Sequence, residues 1–144
     1  MFLGTSEHTL DDKMRLVLPK RDRELFEQTV IVTLGFDRNL SLYPVSSYQR
    51  MKEEISRLSP FDERGRALRR IFFGRSAELK VDGVGRVVLP RSLTDLVGID
   101  KAVTLVGVDD HIEVWDTSLF NQLESREEEQ FQSLAQSVLG TPRD

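Results

Sequence analysis

Cysteine is absent from all 144 residues, which excludes a disulfide scaffold, a zinc–thiolate or iron–sulfur centre and a cysteine nucleophile. Histidine occurs twice. His8 falls in a strand-like stretch, where a solvated or packed role suits it, and His111 follows Asp109-Asp110 at an expected polar turn. No apolar run approaches the roughly 18–20 residues that span a bilayer. The first eight residues also lack the basic and apolar regions of a secretory signal, so the expectation is a cytoplasmic protein with no membrane partner. Walker loops and nucleophile elbows are missing, and Gly83-Val84-Gly85 stops short of a Gly-x-Gly-x-x-Gly motif. Ser, His and Asp are all present, so counting alone leaves a triad open. The reading is nevertheless a non-enzyme, with no catalytic residue, metal or cofactor.

What is present is an ordinary globular balance of 39% hydrophobic and 31% charged residues, enough for one domain or two small half-domains. The formal charge of −4 is unevenly spread. Residues 116–144 alone carry a net −4, whereas Lys13, Arg15, Lys20, Arg21 and Arg23 face only Asp22 within residues 13–23. Arg64, Arg66, Arg69, Arg70 and Arg75 form a second basic cluster beside Asp62 and Glu63. Because fields are screened within about 10 Å at moderate salt, an acidic total leaves a polyanion partner open.

The chain nearly repeats itself. Asp11–Pro19 aligns with Asp82–Pro90 at an offset of 71, and the same offset pairs Val32-Thr33-Leu34 with Val103-Thr104-Leu105. One residue later Leu40, Leu42, Tyr43 and Tyr48 match Ile112, Val114, Trp115 and Phe120. Each half reads as strand, strand, short helix, strand, strand. Arg15–Leu18 and Arg86–Leu89 are β-rich and end in Pro, which predicts short helices near 20–27 and 91–97. Val30–Leu34 with Leu40–Tyr43, and Val103–Val106 with Ile112–Trp115, read as hairpins. Ser46 or Ser47 can cap a helix with Tyr48, Met51, Ile55 and Leu58 on one face. Ser59-Pro60 ends it and starts another, with Leu68, Ile71 and Phe72 inward. From Thr117 or Ser118 one long acidic helix carries Leu119, Leu123, Phe131, Leu134 and Val138, ended by Gly140-Thr141-Pro142 before a disordered tail.

The functional signal lies in the two Asp-x-x-x-Arg elements. A carboxylate that accepts from one edge of the guanidinium holds the fork rigid and leaves its other edge free for guanine or phosphate. The plain alternative is a surface ion pair worth about 0–1 kcal/mol.

With these elements, the Met1-Phe2-x-Gly4 start, Leu42-Tyr43-Pro44, Arg69-x-x-Phe72-Phe73 and Glu113-x-Trp115-Asp116, the chain resembles the MraZ family, built from two SpoVT–AbrB-type half-domains. The resemblance implies an α+β protein with a mainly β core, a swapped-hairpin AbrB-like barrel formed by the two tandem halves, and flanking helices. It divides the chain into half-domains at 5–47 and 76–119, linking helices at 48–75 and a C-terminal helix and tail at 120–144. It further implies a nucleoid-associated transcriptional regulator of the division and cell-wall gene cluster. That regulator would bind direct repeats of double-stranded DNA near its own promoter as a ring-like homo-oligomer. Its DNA-binding residues would be Lys13, Arg15, Lys20, Arg21, Arg23 and Arg86, supported by Asp11 and Asp82. Met14 stands where the family usually has Gly; it restricts the first bend or adds an apolar contact to a base. The +4 stretch makes Arg15 the expected main reader, on the half facing DNA, with Arg86 subordinate. Rival readings are an AbrB-like interaction module of the antitoxin type and, more remotely, an enzyme.

Overall fold

The computed structural model describes residues 1–140. The described residues form eight strands, the central ones rich in β-branched and apolar residues: β1 (Thr5–Thr9), β2 (Arg15–Val17), β3 (Thr29–Leu34), β4 (Leu40–Tyr43), β5 (Ala77–Lys80), β6 (Arg86–Val88), β7 (Ala102–Gly107) and β8 (Ile112–Asp116). Six helices accompany them: α1 (Arg23–Phe26), α2 (Val45–Ser56), α3 (Glu63–Gly74), α4 (Arg91–Thr94), α5 (Thr117–Glu129) and α6 (Phe131–Leu139). Short 3-10 turns at Lys20–Asp22 and Asp95–Val97 extend α1 and α4.

Six strands form an antiparallel sheet in the order β1-β7-β8-β4-β3-β5, and β2 pairs with β6 as a separate two-stranded ribbon. The sheet ends on β1 and β5, with no pairing between them among the described residues, so no closed barrel is seen. The strand pairing between the halves is reciprocal. β1 of the first half pairs with β7 of the second, and β5 of the second with β3 of the first. The Leu16–Val87 pair and the Ser41–Glu113 pair lie at the centres of two such crossings, which fixes a pseudo-two-fold axis.

The pairing also corrects the internal alignment. Leu79 and His8, 71 positions apart, face Val30 and Val103, so the counterpart of Val103 is Val30, 73 positions earlier, rather than Val32. A slip of two residues keeps every side chain on its own face, so hydrophobic alternation cannot detect it.

The alternation sorts the sheet into two buried faces. Val30, Val32, Leu40, Leu42, Val103, Leu105, Ile112 and Val114 meet Leu16, Leu18, Val87 and Leu89 of the ribbon in the main core. Ile31, Thr33, Tyr43, Thr104 and Trp115 point the other way, toward the helices, where the Thr33 hydroxyl donates to the Phe72 carbonyl at 3.0 Å. Burying side chains the size of Leu16 or Val87 stabilises the fold by about 1.5–3 kcal/mol each, which holds the ribbon down.

The helices depart from expectation in three places. α2 starts at Val45 after Pro44, and Ser47 lies buried inside it, so neither serine caps the helix. Asp62 caps α3 by accepting from the Arg64 amide, and of its apolar residues only Phe72 is buried; Leu68 and Ile71 are exposed. The C-terminal helix is two helices that break at Gln130, whose amide bonds the Glu127 carbonyl at 3.1 Å. Glu127, Glu128 and Glu129 crowd carboxylates onto a helix C-terminus, where the backbone dipole disfavours them. The expected stop at Gly140-Thr141-Pro142 and the disordered tail lie, beyond Gly140, outside the described residues.

Candidate nucleic-acid interface

Each Asp-x-x-x-Arg element folds into a tight bend just before a ribbon strand. In the first, Asp11 Oδ1 accepts the amides of Lys13 and Arg15, both at 2.9 Å, and Oδ2 accepts Arg15 Nε at 2.5 Å. In the second, Asp82 Oδ1 accepts the amides of Val84 at 3.0 Å and Arg86 at 2.9 Å, and Oδ2 accepts Arg86 Nε at 2.8 Å. One carboxylate thus ties down both the backbone of the bend and the Nε of its arginine. The two Nη groups of each guanidinium bond no other protein atom among the described residues. The same amides set the titration: the Arg86 amide foremost, then its side chain, hold Asp82 at about 2, and Asp11 is lowered in the same way by Arg15.

The ribbon brings the two forks onto one surface. Its register sets Arg15 opposite Val88 and Val17 opposite Arg86, while Leu16 and Val87 face the core. Period-two alternation therefore puts Arg15, Val17, Arg86 and Val88 on the outer face. Val17 and Val88 are exposed, and each arginine side chain is about 30% exposed. β2 and β6 contribute equally to one antiparallel ribbon, so the fold presents Arg15 and Arg86 on the same surface.

The bends are also exchanged between halves. The Leu18 amide donates to the Gly85 carbonyl at 3.0 Å, and the Leu89 amide to the Met14 carbonyl at 2.9 Å. Arg23 Nε donates to the Leu18 carbonyl at 3.1 Å, and its guanidinium lies where a Cβ on Gly85 would stand, 2.3 Å from Cζ. Arg91 reaches the opposite bend and donates to the Asp12 carbonyl at 3.3 Å. Arg91 was not among the expected site residues; its position one step after Pro90, like Lys20 after Pro19, is the signal that could have found it.

Not every expected residue joins this face. Lys13 is exposed at the first bend, and Arg23 braces the second. Arg21 instead donates to the Leu3 carbonyl and sits 3.7 Å from Asp22, tethering the N-terminal segment. Lys20 lines a cavity of about 460 Å³ with Arg21, His8 and Asp22. Asp22 is buried, which raises its carboxyl pKa against the pull of Arg21. Met14 adopts φ +61°, but its side chain is only 7% exposed and joins the core, so it offers no apolar contact to a base. Ser6 Oγ and His8 Nε2 are 2.7 Å apart, and no carboxylate bonds His8 among the described residues.

The class that the fold and site define is a tandem, pseudo-symmetric α+β protein with two carboxylate-locked guanidinium forks on a shared exposed ribbon. The family model described as "MraZ protein, putative antitoxin-like" matches the chain twice, over residues 1–71 and 72–140. The chain belongs to the MraZ family. It is 41% identical over 115 residues to the transcriptional regulator MraZ of Thermomicrobium roseum, covering 80% of this chain and 81% of that protein. It is 33% identical over 139 residues to the transcriptional regulator MraZ of Moorella thermoacetica, covering 96% and 97%. The corresponding regulator of Desulfitobacterium hafniense is 34% identical over 139 residues, with the same coverage.

Proposed function

We propose that the chain is a sequence-specific, DNA-binding transcriptional regulator that sets the outer face of its β2–β6 ribbon into the major groove. The observation that carries this reading is the pair of arginine forks fixed on that face. A two-stranded ribbon fits the major groove, and a guanidinium with a free edge matches the paired acceptors of guanine. Arg15 and Arg86 read bases, Lys13 at the exposed first bend reaches toward phosphate, and Lys20, Arg21 and Arg23 add to the positive field around the ribbon, with Asp11 and Asp82 acting only through their arginines. The names of the relatives support regulation of transcription.

The exchanged pairing of β1 with β7 and β5 with β3 supports a swapped-hairpin arrangement of half-domains at 5–47 and 76–119. We extend the reading to a cytoplasmic, nucleoid-associated regulator of the division and cell-wall gene cluster. It binds direct repeats near its own promoter as a ring-like homo-oligomer, without cofactor or catalysis. One Arg–guanine contact contributes roughly 1–3 kcal/mol, and several subunits on successive repeats multiply it through effective concentration.

Footprinting on the DNA upstream of the chain's own gene tests this: protection of short direct repeats that weakens steeply with salt is expected. The antitoxin-like description of the family favours one second reading, a protein-binding module. No protection at any salt, with retention of a protein partner, would favour it.

A further inference from the structure

The pseudo-symmetry leaves one surface covered in the first half and open in the second. In the first half α3 closes it: Phe72 stacks on Tyr48 at 5.6 Å and on Phe36 at 6.3 Å, and its carbonyl accepts from Thr33. The strand registers make Val106 the counterpart of Thr33 and Trp115 that of Tyr43, and Phe120 follows as that of Tyr48. In the second half these three, with Trp115 and Phe120 buried and Val106 half-buried, form the floor of a groove of about 660 Å³ between β7, β8 and the α5–α6 elbow. Phe131 stands 69% exposed on its wall, and Glu113, Glu124, Glu127 and Glu128 also line it. An apolar groove with an acidic lining calls for an apolar helix face with basic ends.

The chain carries such a face. On α3 and its C-cap, Arg64, Leu68, Ile71 and Arg75 recur at helical spacing and are all exposed. This stripe is basic, apolar, apolar, basic. The helix packs on β3 of the first half, whereas the groove lies mainly over β7 and β8 of the second, so stripe and groove are two separate surfaces of one molecule.

We propose that the α3 stripe of one copy docks into the α5–α6 groove of a second copy, a head-to-tail contact that repeats from subunit to subunit. This rests on the oligomer reading above and names its contact surfaces. The α2 face offers less for such a contact, since Ile55 is buried and Tyr48 is engaged with Phe72 and Ser76 within its own chain.

Charge exchange on the full-length chain tests the contact, with sedimentation velocity as readout and circular dichroism as fold control. Glu124→Lys with Glu128→Lys, and separately Arg64→Glu with Arg75→Glu, are expected to raise the concentration needed for assembly by at least about tenfold. Combining all four is expected to restore assembly, which mere damage to the fold would not do. A wild-type chain that sediments only as a monomer overturns the oligomer reading and this contact together. A wild-type oligomer indifferent to either reversed pair, or not rescued by the combination, overturns the contact alone; the groove then takes another basic partner or none.

Discussion

Replacing Gly85 with Ala strikes the second bend where two independent constraints meet. Gly85 has φ +89°, a conformation in which an L side chain costs about 1–2 kcal/mol. The added Cβ would also stand 2.3 Å from both Cζ and Nε of Arg23, so the guanidinium must leave and its bond to the Leu18 carbonyl is lost, at about another 1 kcal/mol. The sum is about 2–3 kcal/mol, or roughly 6–12 °C in Tm for a chain of this size. Thermal unfolding followed by circular dichroism measures it, and a double-mutant cycle with Arg23→Ala separates the parts. In the Arg23→Ala background the Gly85→Ala loss should shrink to the backbone component. A Tm within about 1 °C of wild type, or fully additive losses, would refute the reasoning.

Met14→Gly relieves a positive φ at the first bend but removes a buried side chain, so a net loss of about 1–3 kcal/mol is expected by the same unfolding assay; a gain would show that Met14 is not part of the core. Asp82 and Asp11 have lowered pKa values, so their stabilisation is present above the ordinary 3.8 and is lost as pH falls, toward about 2 for Asp82. The Arg86 Nε–H resonance should stay dispersed at pH 4 and collapse near pH 2, and that of Arg15 should likewise collapse on acidification. Asp22 has a raised pKa from burial, so its contribution is full below 3.8 and fades as pH rises through its folded value. Its counterpart Leu93 is a core residue. Asp22→Leu should therefore raise Tm by a few degrees near pH 7, with a gap to wild type that narrows on acidification.

Much of this was legible because local rules and tertiary structure agree. Pro19 and Pro90 after short β runs mark where the chain turns into helix, and the spacing of Asp11 to Arg15 and Asp82 to Arg86 suffices to form the bends. The halves are similar because the same hydrophobic alternation serves the same reciprocal pairing. What the sequence hid is non-local. The offset of β3 against β7 needed strand pairing, since a two-residue slip preserves every face. That Arg15 and Arg86 share one surface depends on β2 pairing with β6, 71 residues away, which charge counting along the chain cannot register. Leu68 and Ile71 fit an inward apolar pattern yet face solvent, because Phe72 alone meets Tyr48 and Phe36. The break at Gln130 follows from the preceding glutamates but is masked by a continuous apolar periodicity.

The most direct test of a shared reading ribbon is to compare Arg15→Ala and Arg86→Ala on protected and scrambled DNA at one fixed salt, with circular dichroism to confirm the fold. Both side chains lie on the exposed face of β2–β6, so each variant should stay folded and lose roughly 1–3 kcal/mol of preference, about 5- to 150-fold, by similar amounts. Asp11→Ala and Asp82→Ala should weaken preference less than their arginine counterparts and combine with them sub-additively. If either arginine variant retains full preference for the protected sequence while the other loses it, the two forks do not read DNA together.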